Sequence, residues 1–297
     1  MTGPGPAGDG AERRLSARLQ TLIGAGRGAP ELANLRAEAA ARMGPDHEIT
    51  LAVEHALEVS RDAGRTPEKS LPVWVALGDR AARSLPPGST TAVAIRARHR
   101  RQLRGCGRPD DLDRLVELCR RETDPDARTD LAAALRDRAR FGGHDDDLGE
   151  ALAVIEGEEA RRGADRVAAG AVRRIRVEVL LALGRVDAAL PLAEELAGGD
   201  DADVDAGDGL PLPRVLLAEA LLPAGRIAEA GRVARLAYAL HPGAFDPARP
   251  LLVVARSEPR PAGRATARAA LERRQAFFPP GSHYVAEACR LVEELAC

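Results

Sequence analysis

The dipeptide Gly-Arg recurs along this chain at Gly26, Gly64, Gly107, Gly184, Gly225 and Gly263, and Gly142 in FGGH fills the one gap. Successive spacings are 38, 43, 35, 42, 41 and 38 residues. Such a period constrains the fold more than any other feature, because a repeat unit that cannot bury its apolar face alone must stack on its neighbours. Segments of helix length flank the glycines. LAVEHALEVSRDA, DLAAALRDRARF, AVRRIRVEVLLAL and RVLLAEALLPA precede them; PELANLRAEAAAR, DDLDRLVELCRR, VDAALPLAEELA and RATARAALERRQAFF follow. Their apolar residues are mostly three and four apart, on one stripe of a helix, and nothing alternates as a strand would. A glycine between two such segments supplies the left-handed residue that ends one helix and turns the chain into the next. Pro45, Pro86, Pro125, Pro242 and Pro280 fall 17 to 22 residues after a turn glycine, where a helix must stop. The unit is helix, Gly turn, helix, Pro loop. It repeats seven times, after a polar tail over 1–10 and before a closing helix over about 282–295. A gap in the pattern, GGDDADVDAGDGLPLP over 198–213, reads as a solvated acidic loop.

Composition narrows the class further. Aromatic residues are 2% of 297, too few for a large β-sandwich or an aromatic-walled pocket, so the core is Ala, Leu and Val in closely packed helices. The net charge of −2 gives no global field toward nucleic acid or an anionic membrane. Of 43 basic residues only Lys69 is lysine, a bias that fits a G+C-rich bacterial genome. Cys106, Cys119, Cys289 and Cys297 form no CxxC pair and no zinc-type cluster with histidine, as expected of reduced thiols in a cytoplasmic protein. The opening MTGPGPAGDGAERR has no apolar segment behind it, and no run reaches membrane-spanning length.

The segment LLAEALLPAGRIAEAGRVARLAYALHP resembles a tetratricopeptide repeat. Ala218 stands at the small position of the first helix, Gly225 at the turn, Ala230 and Ala237 at the small positions of the second, and Pro242 at the end. LLALGRVDAALPLAEEL repeats the turn with Ala189, and GPDHEITLA over 44–52 resembles the loop and helix start of the kinesin light-chain type. PPGSTTAVA and PPGSHYVAEA look like weaker copies. The resemblance covers about 11–297 and implies an all-α solenoid, a right-handed superhelix of seven helix pairs with a C-terminal capping helix. Three prolines depart from the pattern: Pro223 inside a first helix, and Pro259 and Pro261 interrupting the seventh pair.

Motifs that would carry chemistry have structural readings. Asp201, Asp203, Asp205 and Asp208 suggest a calcium loop, but Ala206 and Leu212 stand where Gly and Glu are required. Asp146, Asp147 and Glu150 belong to a DDxxE run that also suits the start of a helix, where acids favour the free N–H groups. P-loop, HExxH and GxSxG patterns are absent. No cofactor is expected.

The arginine cluster IRARHRRQLRGCGR carries more information. The resemblance implies that the first helix of each pair lines a concave groove. Aligning the turn glycines then places Arg101, Arg104, Arg136, Arg140 and Arg174 on that surface, with Glu178 and Glu219 beyond them. Guanidinium forks grip carboxylates bidentately, so the expected ligand is a protein segment, an acidic peptide or a free C-terminus, and the expected activity is that of a non-catalytic adaptor. Nucleic acid is disfavoured by the missing stacking aromatics. Two other classes stay open: a helical-repeat enzyme, with His99 and Glu58 as one guess at its site, and a regulatory subunit that closes around a small molecule.

Overall fold

The structure, a computed structural model, describes the chain apart from residues 1–6, 27, 63–64, 123, 125, 143, 145, 163–165, 200–211, 241–245 and 297. Among the described residues there are fifteen α-helices and no strand. They are α1 (Ala7–Gly24), α2 (Ala29–Met43), α3 (Glu48–Asp62), α4 (Pro67–Ser84), α5 (Thr90–Cys106), α6 (Pro109–Arg121), α7 (Ala127–Gly142) and α8 (Asp146–Arg162). Then come α9 (Arg166–Ala182), α10 (Val186–Gly198), α11 (Pro213–Leu221), α12 (Ile227–Leu240), α13 (Arg249–Ser257), α14 (Arg260–Phe277) and α15 (His283–Glu294). These are the seven expected pairs and the closing helix, and consecutive helices pack on one another as in an α-solenoid. No described helix is long and apolar enough to cross a membrane. Helix α1 begins at Ala7, inside the stretch expected to be a tail. The acidic loop, Gly64, Pro125 and Pro242 lie outside the described residues, apart from the ends of that loop.

Four of the Gly-Arg glycines do what the sequence predicts. Gly26, Gly107, Gly184 and Gly225 all have φ between +60° and +78°. At Gly184 the turn is closed by two backbone bonds, from its own N–H to Leu181 O (3.0 Å) and from Arg185 N–H to Leu180 O (2.9 Å), which satisfy the last carbonyls of α9. Gly142 closes α7 without a positive φ. Gly263 departs further. It lies inside α14, and a Cβ there would sit 2.4 Å from Ala255 O, so it serves a close approach of α14 to α13. The prolines also have local explanations. Pro223 follows the end of α11 and lies in the turn. Pro259 caps α14 and Pro261 occupies its first turn, where a missing N–H costs nothing.

The chain divides into two compact units, residues 1–102 and 103–297. In the first unit, Leu15, Leu19, Leu32, Leu35, Ile49, Val53 and Leu57 join α1, α2 and α3 in one core, and Leu51, Trp74, Leu77 and Ile95 form another. Trp74 is fully buried and donates its indole N–H to Asp62 (2.8 Å), which also accepts from Ser70 and Gln102. The Gly-Pro-Asp-His loop is clamped by Arg80, which donates to Pro45 O, Asp46 and Glu54. In the second unit the first helices of successive pairs, α7, α9, α11 and α13, touch one another in order and form an inner layer. Its core is dominated by small and branched residues, such as Val177, Ala189, Ala193, Leu216, Ala218, Ala230, Ala234 and Val253.

Candidate functional site

Helix phasing aims the charged residues of the second unit's first helices inward. On α7, Arg136 and Asp137 are 3% exposed, and on α9, Glu178 is 4% exposed. Arg136 donates to Asp137 (2.8 Å from Nε) and pairs with Glu178 on the other side. Glu178 also accepts from Arg249 of α13 (2.7 Å), and Arg249 grips Glu219 of α11 through two nitrogens, each at 2.7 Å. Arg104, in the last turn of α5, lies with its Nε 3.5 Å from Asp137 Oδ2. One continuous network thus joins four helices of the inner layer to the end of α5.

A second network closes the unit. Helix α15 packs on α14 through Ala288 and Leu291 and also reaches back to the start of the unit. The His283 N–H donates to Gly107 O at 2.9 Å, and the Tyr284 hydroxyl donates to Arg104 O at 3.4 Å. Glu287 accepts from Arg140 of α7 (2.6 Å) and from Arg274 of α14 (2.9 Å), and Arg274 also holds Asp246 (2.6 Å). Four of the chain's seven aromatics gather here. Phe141 stacks on the His283 ring, Tyr284 lies tilted against that ring, and Phe278 and Phe277 continue the row.

Ion pairing overrides burial for the acids. Burial alone would raise Asp137, Glu178 and Glu287, yet all three are lowered: Asp137 by Arg136, Glu178 by Arg136 and Arg249, Glu287 by Arg140 and Arg274. His283 is different. Burial drives it down to about 4, and the facing charges act in opposite directions: Asp137 and Glu287 raise it while Arg136 and Arg274 lower it. Burial likewise pushes the Tyr284 hydroxyl up.

The structure brings Arg104, Arg136, Glu178 and Glu219 into one network. Arg140 belongs to the second network, and Arg174 is buried on α9, one turn before Glu178. Arg101 falls on the part of α5 in the first unit. The surface is not an open stripe of one sign, however. Asp137, Glu178, Glu219, Asp246 and Glu287 match Arg104, Arg136, Arg140, Arg249 and Arg274. The glycine alignment misses Asp137, Arg249, Arg274, His283 and Glu287, although Asp137 adjoins Arg136 in sequence.

The other candidates resolve into structural roles. Asp147, buried in the first turn of α8, is gripped by two nitrogens of Arg138 (2.6 and 2.8 Å), and Glu150 accepts from Arg120 (2.7 Å). Both oxygens of Glu58 are taken by Arg61 and Arg65. Among the described residues no three His, Cys, Asp or Glu side chains cluster as a metal site. Asp145 and the acidic-loop aspartates lie outside the described residues.

An open groove does exist in the first unit, with a cavity volume of about 550 Å³. It lies between α1, α3 and the start of α5, the first helices of the first three pairs. Leu19, Ile49 and Ala52 give it an apolar floor; Ser16, Gln20, Thr90 and Thr91 offer hydrogen-bonding groups, and Glu12, Arg13 and Glu48 stand at its sides. A comparison with protein-family models finds no match, and a comparison with curated proteins finds none either.

Proposed function

We propose that this chain is a tetratricopeptide-type adaptor, acting in the bacterial cytoplasm, that binds an extended segment of a partner protein without chemistry of its own. The observation that carries this reading is the open groove of the first unit, bounded by the helices that line the concave face in this kind of repeat. Its apolar floor suits one or two aliphatic side chains, and its hydroxyl and amide groups suit the polar backbone of a non-helical peptide. Affinity from such a groove is the sum of several weak contacts to a preformed surface. The inner arginines of the second unit are matched by carboxylates, so the first unit is the better seat for a partner.

The test uses the full chain with a photo-crosslinking residue at Gln20 or Thr91, run in lysate of the source cell, beside Ala52→Trp, which fills the groove floor. A single partner segment crosslinked from both positions and lost in Ala52→Trp, with an unchanged melting temperature, supports the reading. Crosslinks spread over unrelated proteins, or undiminished in the filled variant, remove the groove from consideration.

The reading of a small-molecule regulatory subunit rests on a different observation, a buried histidine among carboxylates in the second unit. Native mass spectrometry of the purified chain separates the two: a retained mass of a few hundred daltons supports the small molecule.

A further inference from the structure

Helix α15 closes the second unit through a residue poorly suited to burial. His283 is 6% exposed, and both of its ring nitrogens are buried without a hydrogen-bond partner. A neutral imidazole carries one donor and one acceptor, and leaving both unmet works against the docking that buries them. The ring is held by shape instead. Phe141 stacks on it with centroids 4.3 Å apart, Tyr284 lies tilted against it at 3.9 Å, and Gly107 leaves room that a Cβ would occupy 2.9 Å from Cδ2.

Four charged groups act on this ring: Arg136 and Asp137 on α7, Arg274 on α14 and Glu287 on α15 itself. Behind them stand Arg104 beside Asp137, Arg140 on Glu287 and Asp246 on Arg274, and Arg290 lies over the Phe141 ring. The nearest acids are engaged elsewhere: Asp137 holds Arg136 through Oδ1, its Oδ2 lies 3.5 Å from Arg104 Nε and makes no hydrogen bond to the ring, and Glu287 holds Arg140 and Arg274. His283 is also the first residue of α15, where the helix dipole opposes a positive charge. With neither ring nitrogen bonded to an acid in the closed position, a proton on this ring favours moving it to water. That movement breaks the His283 N–H to Gly107 O bond and the stack on Phe141.

We propose that α15 is an acid-released latch: with His283 neutral it closes the second unit on its own inner layer, and uptake of one proton from solvent by that imidazole frees the start of α15 and uncovers the Arg104–Asp137–Arg136 surface. The depressed proton affinity of the buried ring agrees with this coupling. One proton sets the steepness, tenfold more opening per pH unit between about 6.5 and about 4, or about 30-fold by pH 5.

Hydrogen exchange of the full chain tests it, with rates corrected for intrinsic pH dependence. Protection of amides over 283–290 is expected to fall about 30-fold between pH 7.5 and 5, while α9 keeps its protection. His283→Phe preserves the stack and cannot take a proton, so its 283–290 segment is expected to stay protected at pH 5. Three results overturn the proposal: no change in the parent, an equal fall in His283→Phe, or an equal fall in α9, which would mean global acid unfolding. Should His283→Phe fail to fold, the parent decides through its imidazole NMR titration followed beside the exchange: loss of protection over 283–290 that tracks protonation of His283 supports the latch, and protonation with that protection kept overturns it.

Discussion

Arg136 shows how much one buried charge can commit. Its guanidinium neutralises Asp137 and Glu178 at once, and all three are at least 96% buried. Arg136→Leu leaves two carboxylates in a low-dielectric interior, an effect on the order of 3–5 kcal/mol that urea unfolding would register. Replacing Arg136, Asp137 and Glu178 together with leucine is expected to lose less, because Arg249 keeps Glu219 and only Arg104, 3.5 Å from Asp137, loses its neighbouring acid. Equal losses in the single and triple variants would show that packing, not charge, sets the penalty. His283 makes a separate residue-scale prediction. Its folded pKa, about 4, lies below the unfolded value of 6.5, so the stability it contributes is fully present above 6.5 and falls as pH drops toward 4. The loss is about 2 kcal/mol between pH 7.5 and 5. The buried carboxylates are lowered instead, so their contribution is lost only at more acid pH, below the ordinary carboxylate range. His55, also driven to about 4 by burial, acts in the same window but in the first unit, so His283→Phe flattens only part of the whole-chain dependence.

At the scale of the helix pair, the sequence was legible where the cause of structure is local. Apolar spacing and turn residues act within a few positions, so seven pairs and a closing helix can be read directly, and Ser282 caps α15 as its position suggests. The same residue type nevertheless serves two purposes that a dipeptide cannot distinguish. Gly184 is needed for its backbone: φ is +71°, and nothing lies within 4 Å of a Cβ placed there. Gly263 has no positive φ but would drive a Cβ into Ala255 O. Gly184→Val is expected to lose about 1–2 kcal/mol through strain alone. Gly263→Ala, mild in an ordinary helix, is expected to lose about 1–3 kcal/mol by forcing α13 and α14 apart. Thermal melts of the two variants decide; a neutral Gly263→Ala would mean that the helices yield easily.

At the scale of the whole chain, the reach of periodicity ends at contacts between distant residues. Gly107 and His283, or Arg140 and Glu287, meet because the inner layer of the second unit returns to its own start, and no spacing rule connects them. That is why Arg104 and Arg136 are recognisable as inward-facing while their neutralising partners are not. The expected open basic groove depended on those partners being elsewhere. The division into two units yields a prediction of its own. Stacked repeats bind mainly to their neighbours, so a chain with two compact units need not unfold in one step. Trp74, the only tryptophan, reports on the first unit alone through its buried ring and its bond to Asp62. Far-ultraviolet circular dichroism reports on helices of both. In a urea titration the two signals are expected to give different midpoints, and Asp62→Ala, which strands the indole N–H, should move the fluorescence midpoint to lower urea by about 1–3 kcal/mol of stability. The dichroism change belonging to the second unit should stay in place. Coincident midpoints that shift together in the variant would mean that the whole array melts as one cooperative body.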